Sequence, residues 1–563
     1  MSKLKPKLFS VMKTYTKQQF FKDVVAGIIV AIIALPLSIA LAIASGVSPE
    51  SGLYTAIIGG FIISFLGGSR VQIGGPTGAF MVIVLGIVLE FGFDGLLIAT
   101  FMAGIIMICF GLLKMGSVVK FIPYPIITGF TSGIALVIFS SQVNDFLGMN
   151  ILNLSSGFGA KWLDYFSNIR NIDFTTLGIG LLALLIIIFW PKISKKIPGT
   201  LIAIVVSSLL VYFFHLDVAT IGSKYGELSS SLPIPKFPNL TFERMKSLIE
   251  PAFIIAFLGS VESLLSAVVS DGMIGSRHRS NMELVAQGAA NVGSAMFGGI
   301  PVTGAIARTV ANIKSGGRTP VAGMVHSITL LIILVSLMPL VQHVPLSALA
   351  AVLFIVAYNM SEWREFKTLL KSPLPDTVVL LTTFFLTVAV DLVVAIEVGL
   401  VLSMFLFMKR MSDVSDVSIK KLDFTEETHS EILKEPRHVL ENPINLSGVQ
   451  MYQINGPFFF GAAHKYVEAI KSIDKNVEYL IIGMKHVPAM DATAIHYFKS
   501  SLKLCEARKI IVLITGINRQ PKIALEKAGL LASIGEHRMF ITIEEAIHNI
   551  QTSRSKNTPQ EAI

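Results

Sequence analysis

The sequence predicts an all-α polytopic membrane domain of fourteen spans in a seven-plus-seven inverted repeat, followed by a small cytosolic α/β domain. Three observations predict it. The composition is apolar and poor in charge up to about residue 410 and ordinary beyond it. Lys and Arg gather in alternate short loops. One helix-breaking motif occurs twice, as Gly74-Gly75-Pro76-Thr77-Gly78-Ala79 and as Gly298-Gly299-Ile300-Pro301-Val302-Thr303-Gly304-Ala305.

Of the 563 residues, 53% are hydrophobic and 15% charged, and mean hydropathy is +0.69. A soluble domain carries roughly 25% charged residues. The net charge of +9 comes largely from residues at helix ends, which fits membrane topology and not a nucleic-acid surface. Two cysteines, Cys109 and Cys505, exclude a disulfide framework or a cysteine metal site. No HExxH, P-loop, GxSxG or metal-spaced His/Cys cluster occurs, so neither an enzyme nor a cofactor or metal is expected.

Residues 1–22 form a basic cytosolic N-terminus with Lys3, Lys5, Lys7, Lys13, Lys17 and Lys22. The apolar stretch after it is too long for a signal-peptide core, and further spans follow, so it is a retained first span. Runs of spanning length lie near 23–45, 53–67, 95–112, 126–144, 175–190, 198–214, 250–270, 283–297, 319–341, 345–360, 374–390 and 392–410. Broken elements near 71–90 and 301–315 complete fourteen. With the N-terminus inside, Arg70, Lys114, Lys192, Arg277, Lys314 and Arg364 all fall in inner loops, and the short outer loops hold no Lys or Arg. The domain therefore spans 23–410 with both ends in the cytosol. A shift of 226 residues lays Thr77 on Thr303. Seven is odd, so the second copy enters from the opposite side. A polar linker covers 411–446 and a second domain 447–552, with strands near 449–454, 479–484 and 510–515 and helices near 462–473 and 492–506. Residues 553–563 read as a disordered tail.

A break inside a bilayer is tolerated only where it is buried in protein or lines a cavity. Breaks at matching places in two halves mark a secondary transporter with its site near the midplane. Two helix N-termini aimed at one point also favour an anion, through free N–H groups and the positive dipole end. Thr77 and Thr303 sit where they would cap those helices. Charged residues inside spans are functional candidates by default. Glu262 lies midway along 250–270, and Arg308 just over one turn into the second broken helix. Arg308 would add positive potential to the anion site, and Glu262 would bind a proton or sodium; a purely structural ion pair between the two is the alternative. Ser266 follows Glu262 by one turn on the same face and offers a hydroxyl. Gln287, Asn291 and His326 read as satisfied packing polars.

The run Gly68-Ser-Arg-Val-Gln-Ile-Gly-Gly-Pro-Thr-Gly-Ala79 resembles the signature of the SulP anion transporters. So do Val261-Glu-Ser-Leu-Leu-Ser-Ala-Val-Val-Ser-Asp-Gly-Met273, Gly298 to Arg308, Ile122-Pro-Tyr-Pro, Gly129-Phe-Thr-Ser-Gly133 and Asn144-Asp-Phe-Leu-Gly148. The soluble part resembles a STAS domain. The resemblance implies a fourteen-helix fold shared with nucleobase transporters, in a homodimer whose core domain slides against a gate. It puts the anion at Thr77, Gly78, Ala79, Thr303, Gly304 and Ala305 with Arg308 close by, and cation or proton coupling at Glu262. Sodium-coupled bicarbonate members resemble Asp-Ser-Leu-Leu-Thr where this chain has Glu262 and Ser266, which leans toward a proton. In STAS domains that are phosphorylated, a Ser follows the motif Asp; here the sequence is Asp491-Ala492-Thr493.

The expectation is a proton-coupled inner-membrane transporter of a small oxyanion, sulfate first, working by alternating access. Dicarboxylate or bicarbonate transport, an uncoupled channel or exchanger, and an anion-sensing receptor stand as alternatives. A nucleobase carrier fits less well, since Arg308 beside two helix ends suits an anion better than a neutral ring.

Overall fold

A computed structural model describes residues 4–117, 123–151, 154–155, 157–194, 197–231, 234–390, 392–414, 416–420, 447–474 and 476–557. It divides into two compact units, Met1–Ser403 and Met404–Ile563.

The first unit is helical. In its first half α1 (Leu8–Val11) and α2 (Lys17–Ala44) precede α3 (Pro49–Tyr54), a π-turn (Thr55–Gly59) and α4 (Gly60–Leu66). The two-residue strand β1 (Gly74–Gly75) leads through a 3-10 turn (Gly78–Phe80) into α5 (Met81–Leu112). Next come α6 (Tyr124–Leu147), α7 (Phe158–Ser167), α8 (Phe174–Ile193), α9 (Gly199–Phe214) and α10 (Ile221–Tyr225). The second half holds α11 (Phe242–Ile274), α12 (Ser280–Met296), β2 (Thr303–Gly304) and α13 (Ile306–Lys314). It closes with α14 (Pro320–Val341), α15 (Leu346–Met360), α16 (Trp363–Leu369), α17 (Leu374–Ala389) and α18 (Leu392–Val414).

Among the described residues, eight helices are long and apolar enough to cross a membrane, and α9 and α17 are shorter apolar helices. This is a polytopic membrane domain. The stretches expected as separate elements at 71–90 and 95–112 are two helical segments within α5, separated by non-helical backbone at Gly92 (φ 72°, ψ −179°). Helix ends follow local chemistry. Thr16 accepts from Gln19 N at the start of α2, Asp173 caps α8, and left-handed glycines (Gly148, Gly275) close α6 and α11.

The second unit is a five-stranded sheet, β3 (Asp416–Lys420), β4 (Val449–Asn455), β5 (Tyr479–His486), β6 (Ile511–Thr515) and β7 (Met539–Phe540), in that order. β3 runs antiparallel to β4 and the rest are parallel. Residues expected as linker thus supply the edge strand, because 416–420 extend the ladder of β4; residues 421–446 lie outside the described residues. The tail also begins later than expected. Helix Ile543–Asn557 includes 553–557, since Ala546, Ile547 and Ile550 anchor it in a small apolar cluster, and 558–563 lie outside the described residues.

Candidate functional site

The two breaks meet. β1 and β2 pair antiparallel, Gly74 with Gly304 and Gly75 with Thr303, and Ala305 N donates to Ile73 O at 2.8 Å. Extended backbone inside an apolar domain needs partners for every N–H and C=O. Side chains supply those the short ladder cannot. Asn291 brackets Val302, donating to its carbonyl at 2.8 Å and accepting from its N–H at 3.0 Å. Thr309 Oγ1 accepts from Ile73 N at 3.0 Å, and Asn312 donates to Val71 O at 2.8 Å. Asn291 is therefore the satisfied polar the sequence suggested.

At two of these positions any added Cβ would displace a polar side-chain end. A Cβ on Gly75 would lie 2.0 Å from Arg308 Nη1, and one on Gly304 1.5 Å from Gln72 Nε2. The motif glycines hold the backbone against a guanidinium and an amide.

Arg308, 3% exposed, reaches back from the second break to the first. Its Nη2 donates to Pro76 O at 3.0 Å, while Nη1 is buried without a partner. One residue on, Thr77 Oγ1 donates to Glu262 Oε2 at 3.0 Å. Arg308 and Glu262 thus grip neighbouring residues of the first break, and no ion pair joins them among the described residues. The structural ion-pair alternative is set aside for that reason.

The expected caps are absent. Thr77 occupies the N-cap of the 3-10 turn, but its hydroxyl is spent on Glu262 and makes no cap bond. Thr303 is a strand residue; Ala305 is the N-cap of α13, also without a side-chain cap. The hydroxyl of Thr303 meets Ser263 Oγ at 2.6 Å instead. The first-turn N–H groups at Gly78–Ala79 and in α13 consequently keep their donor capacity.

Ser266 hydrogen-bonds Thr309 Oγ1 at 3.5 Å, behind the strand pair. The hydroxyl beside the break belongs to Ser263, which also accepts from Gly304 N at 3.1 Å. Sequence reasoning missed it by following the helical turn from Glu262. The serine stripe Ser260, Ser263, Ser266 and Ser270 along α11 was the available signal.

His326 differs from the satisfied polar expected of it. It is fully buried and neither ring nitrogen has a partner. Two other buried acids escaped notice. Glu283 accepts from Gly68 N, Ser69 N and Gln287 Nε2 at 2.8–2.9 Å. Asp23 accepts from Tyr15, Gln19 and Arg318 N at 2.9–3.0 Å. Asp271 pairs with His278, whose Nδ1 lies 2.7 Å away.

Chemically, the paired breaks present donors: uncapped helix N–H groups and a guanidinium with one free edge. Such a set suits an acceptor-only ligand. In the second unit, Asp491 caps the following helix through Ala494 N (2.7 Å) and accepts from Phe460 N (3.1 Å), leaving Thr493 exposed.

Residues 20–383 match the sulfate permease family and residues 444–546 the STAS domain. YvdB of Bacillus subtilis (strain 168), named for sulfate transport, is 41% identical over 530 residues, covering 94% of this chain and 97% of its own. The bicarbonate transporter BicA of Picosynechococcus sp. is 31% identical over 545 residues, with 94% of each chain covered. The solved structure of SLC26A9 shares the fold, with TM-score 0.86 and 18% identity over 99% of this chain and 94% of that one.

Proposed function

The chain belongs to the sulfate permease family, and on that footing we propose that it carries a small oxyanion, sulfate foremost, across the inner membrane with a proton, by alternating access. This reading takes the membrane domain as fourteen spans in a seven-plus-seven inverted repeat, dimeric, with both ends in the cytosol. The anion lies between the breaks, at Thr77, Gly78, Ala79, Thr303, Gly304, Ala305 and Arg308. Glu262 takes the proton, with Ser266 in support behind the strand pair.

One observation carries the reading: buried Arg308 crosses from one break to the other and leaves Nη1 unpartnered. A buried cation wants a counter-charge, because an isolated one loses its hydration without recompense. An oxyanion at this edge would supply it and take the uncapped N–H groups as well. Glu262 lies beside that position, held by the Thr77 hydroxyl. Two like charges disfavour each other at such range, so anion and proton bind together. That shared site is the coupling.

Movement needs a smooth contact. Gly78 faces Met360 of α15 and Ile138 of α6, and a Cβ there would meet Met360 Sδ at 2.7 Å. In this reading the breaks and their helices slide past that apolar pair.

The test is flux in proteoliposomes. Radiolabelled sulfate is followed with and without an inward proton gradient, against succinate, bicarbonate and chloride as competitors. Gradient-driven accumulation that Glu262→Gln abolishes is expected. No flux of any anion by folded protein would overturn the reading. Bicarbonate is the second reading, favoured by the likeness to BicA; strong competition by bicarbonate with little sulfate uptake would select it.

A further inference from the structure

Among the buried titratable groups that the mechanism leaves unused, His326 stands out for having no hydrogen-bond partner. His326, on α14, is 0% exposed and both Nδ1 and Nε2 lack a partner. An unpaired buried polar atom is costly, so an imidazole with two is an expensive thing to keep for packing.

Its surroundings lie directly behind the first break. One turn before it, Gly323 packs on Ser64, whose Oγ is also buried and unpartnered. The next residue, Ser327, donates to Ala56 O at 3.2 Å. Ala56 in turn lies against Gly75, which touches Arg308 Nη1. α14, which carries the unpaired ring of His326, thus backs the π-turn that packs on Gly75, the residue beside Arg308 Nη1. Other charges stand apart. On α2, Lys22 and Asp23 sit at Gly316 and Thr319, and Lys17 lies further toward the N-terminus of that helix. Thr319 precedes His326 by two helical turns, roughly 10 Å at 1.5 Å per residue. Glu262 faces Thr77, and the π-turn and α4 bring Thr55 and Ser64 but no charge.

We infer that His326 is a positioning residue for substrate valence, taking up a proton when a divalent oxyanion binds beside Arg308. The charges decide it. Arg308 and a monovalent anion sum to zero with Glu262 protonated and His326 neutral. A divalent anion leaves one negative charge uncompensated in a buried site, which is costly. A second proton, taken from water on the loading side and held as an imidazolium N–H, cancels it and leaves with the anion on the other side. Two protons therefore accompany sulfate, one on Glu262 and one on His326.

This rests on the transport reading, and the test separates the two. Proton uptake on sulfate binding is measured on the purified full chain by titration calorimetry in buffers of different ionisation enthalpy. Two protons per sulfate are expected for the wild type and one for His326→Gln, with affinity at pH 6 at least tenfold weaker. As a mutation-free check, the ¹⁵N shifts of His326 should move from imidazole to imidazolium on adding sulfate. An unchanged proton count in a folded variant, or unchanged ring shifts in sulfate-bound wild type, overturns the role of His326 and leaves the anion site standing. Failure of the wild type to bind sulfate overturns both.

Discussion

Gly75→Ala probes the contact on which the site depends. The new methyl carbon would lie 2.0 Å from Arg308 Nη1 and 3.2 Å from Cζ, where ordinary contact begins at 3.4 Å. Backbone gives little here, because Gly75 is paired with Thr303. The guanidinium must therefore retreat by more than an ångström, and its 3.0 Å bond to Pro76 O is lost or badly stretched. Overpacking of this kind costs about 1–3 kcal/mol. A hydrogen bond from a charged donor is worth about 1.5–3 kcal/mol. With part of each falling on the bound state alone, sulfate affinity should weaken on the order of 10- to 100-fold, at 1.4 kcal/mol per decade. Gly86→Ala is the control, since no atom lies within 4 Å of its Cβ position. The assay is equilibrium binding of radiolabelled sulfate to purified protein, with melting temperature measured alongside. Wild-type affinity in Gly75→Ala would refute the claim that Arg308 is packed against the break to serve the anion.

Other outcomes follow from the same contacts. Thr77→Val removes the 3.0 Å donor to Glu262 and should shift the pH profile of uptake while lowering melting temperature only slightly, which flux from pH 5 to 8 would show. Glu283→Ala strips acceptors from Gly68 N, Ser69 N and Gln287. With about 1–3 kcal/mol per orphaned group, it should cut stability by several kcal/mol, read as a fall in melting temperature. In the second unit, burial pushes the Cys505 thiol up to about 11 from 9.0. The folded state holds that proton more tightly than the unfolded chain. Its contribution to stability is thus full below pH 9 and is lost as pH rises toward 11. Alkylation of Cys505 by iodoacetamide at pH 8 should be slow in folded protein and fast after denaturation, and equal rates would contradict its burial.

Much of this was legible in the sequence, for physical reasons that can be named. Apolar runs ended by glycine, proline or charge marked the helices, and the two Gly-Pro breaks announced themselves because such residues cannot continue a helix in lipid. Glu262 and Arg308 stood out as charges with no aqueous neighbours in sequence. What was hidden depended on partners distant in the chain. Nothing local tells Thr77 to give its hydroxyl to Glu262 and leave the helix uncapped. Nor could the sequence show that Ala305, and not Thr303, opens α13, which follows from the pairing of Gly75 with Thr303. Nothing local marks Asp23 and Glu283 as buried acids, because the backbone N–H groups that they accept from lie far away in the chain. The edge strand β3 lay beyond reach as well, since a strand's partner, not its composition, decides whether a polar segment joins a sheet.

The central claim, that an oxyanion binds between the paired breaks, is tested most directly by locating one. Crystals of the full chain grown with selenate in place of sulfate would be measured at the selenium edge. The account predicts one strong anomalous peak within hydrogen-bonding reach of the Gly78 and Ala79 N–H groups, the first turn of α13 and Arg308 Nη1. A strong peak elsewhere in the membrane domain, with none at Arg308, would contradict it.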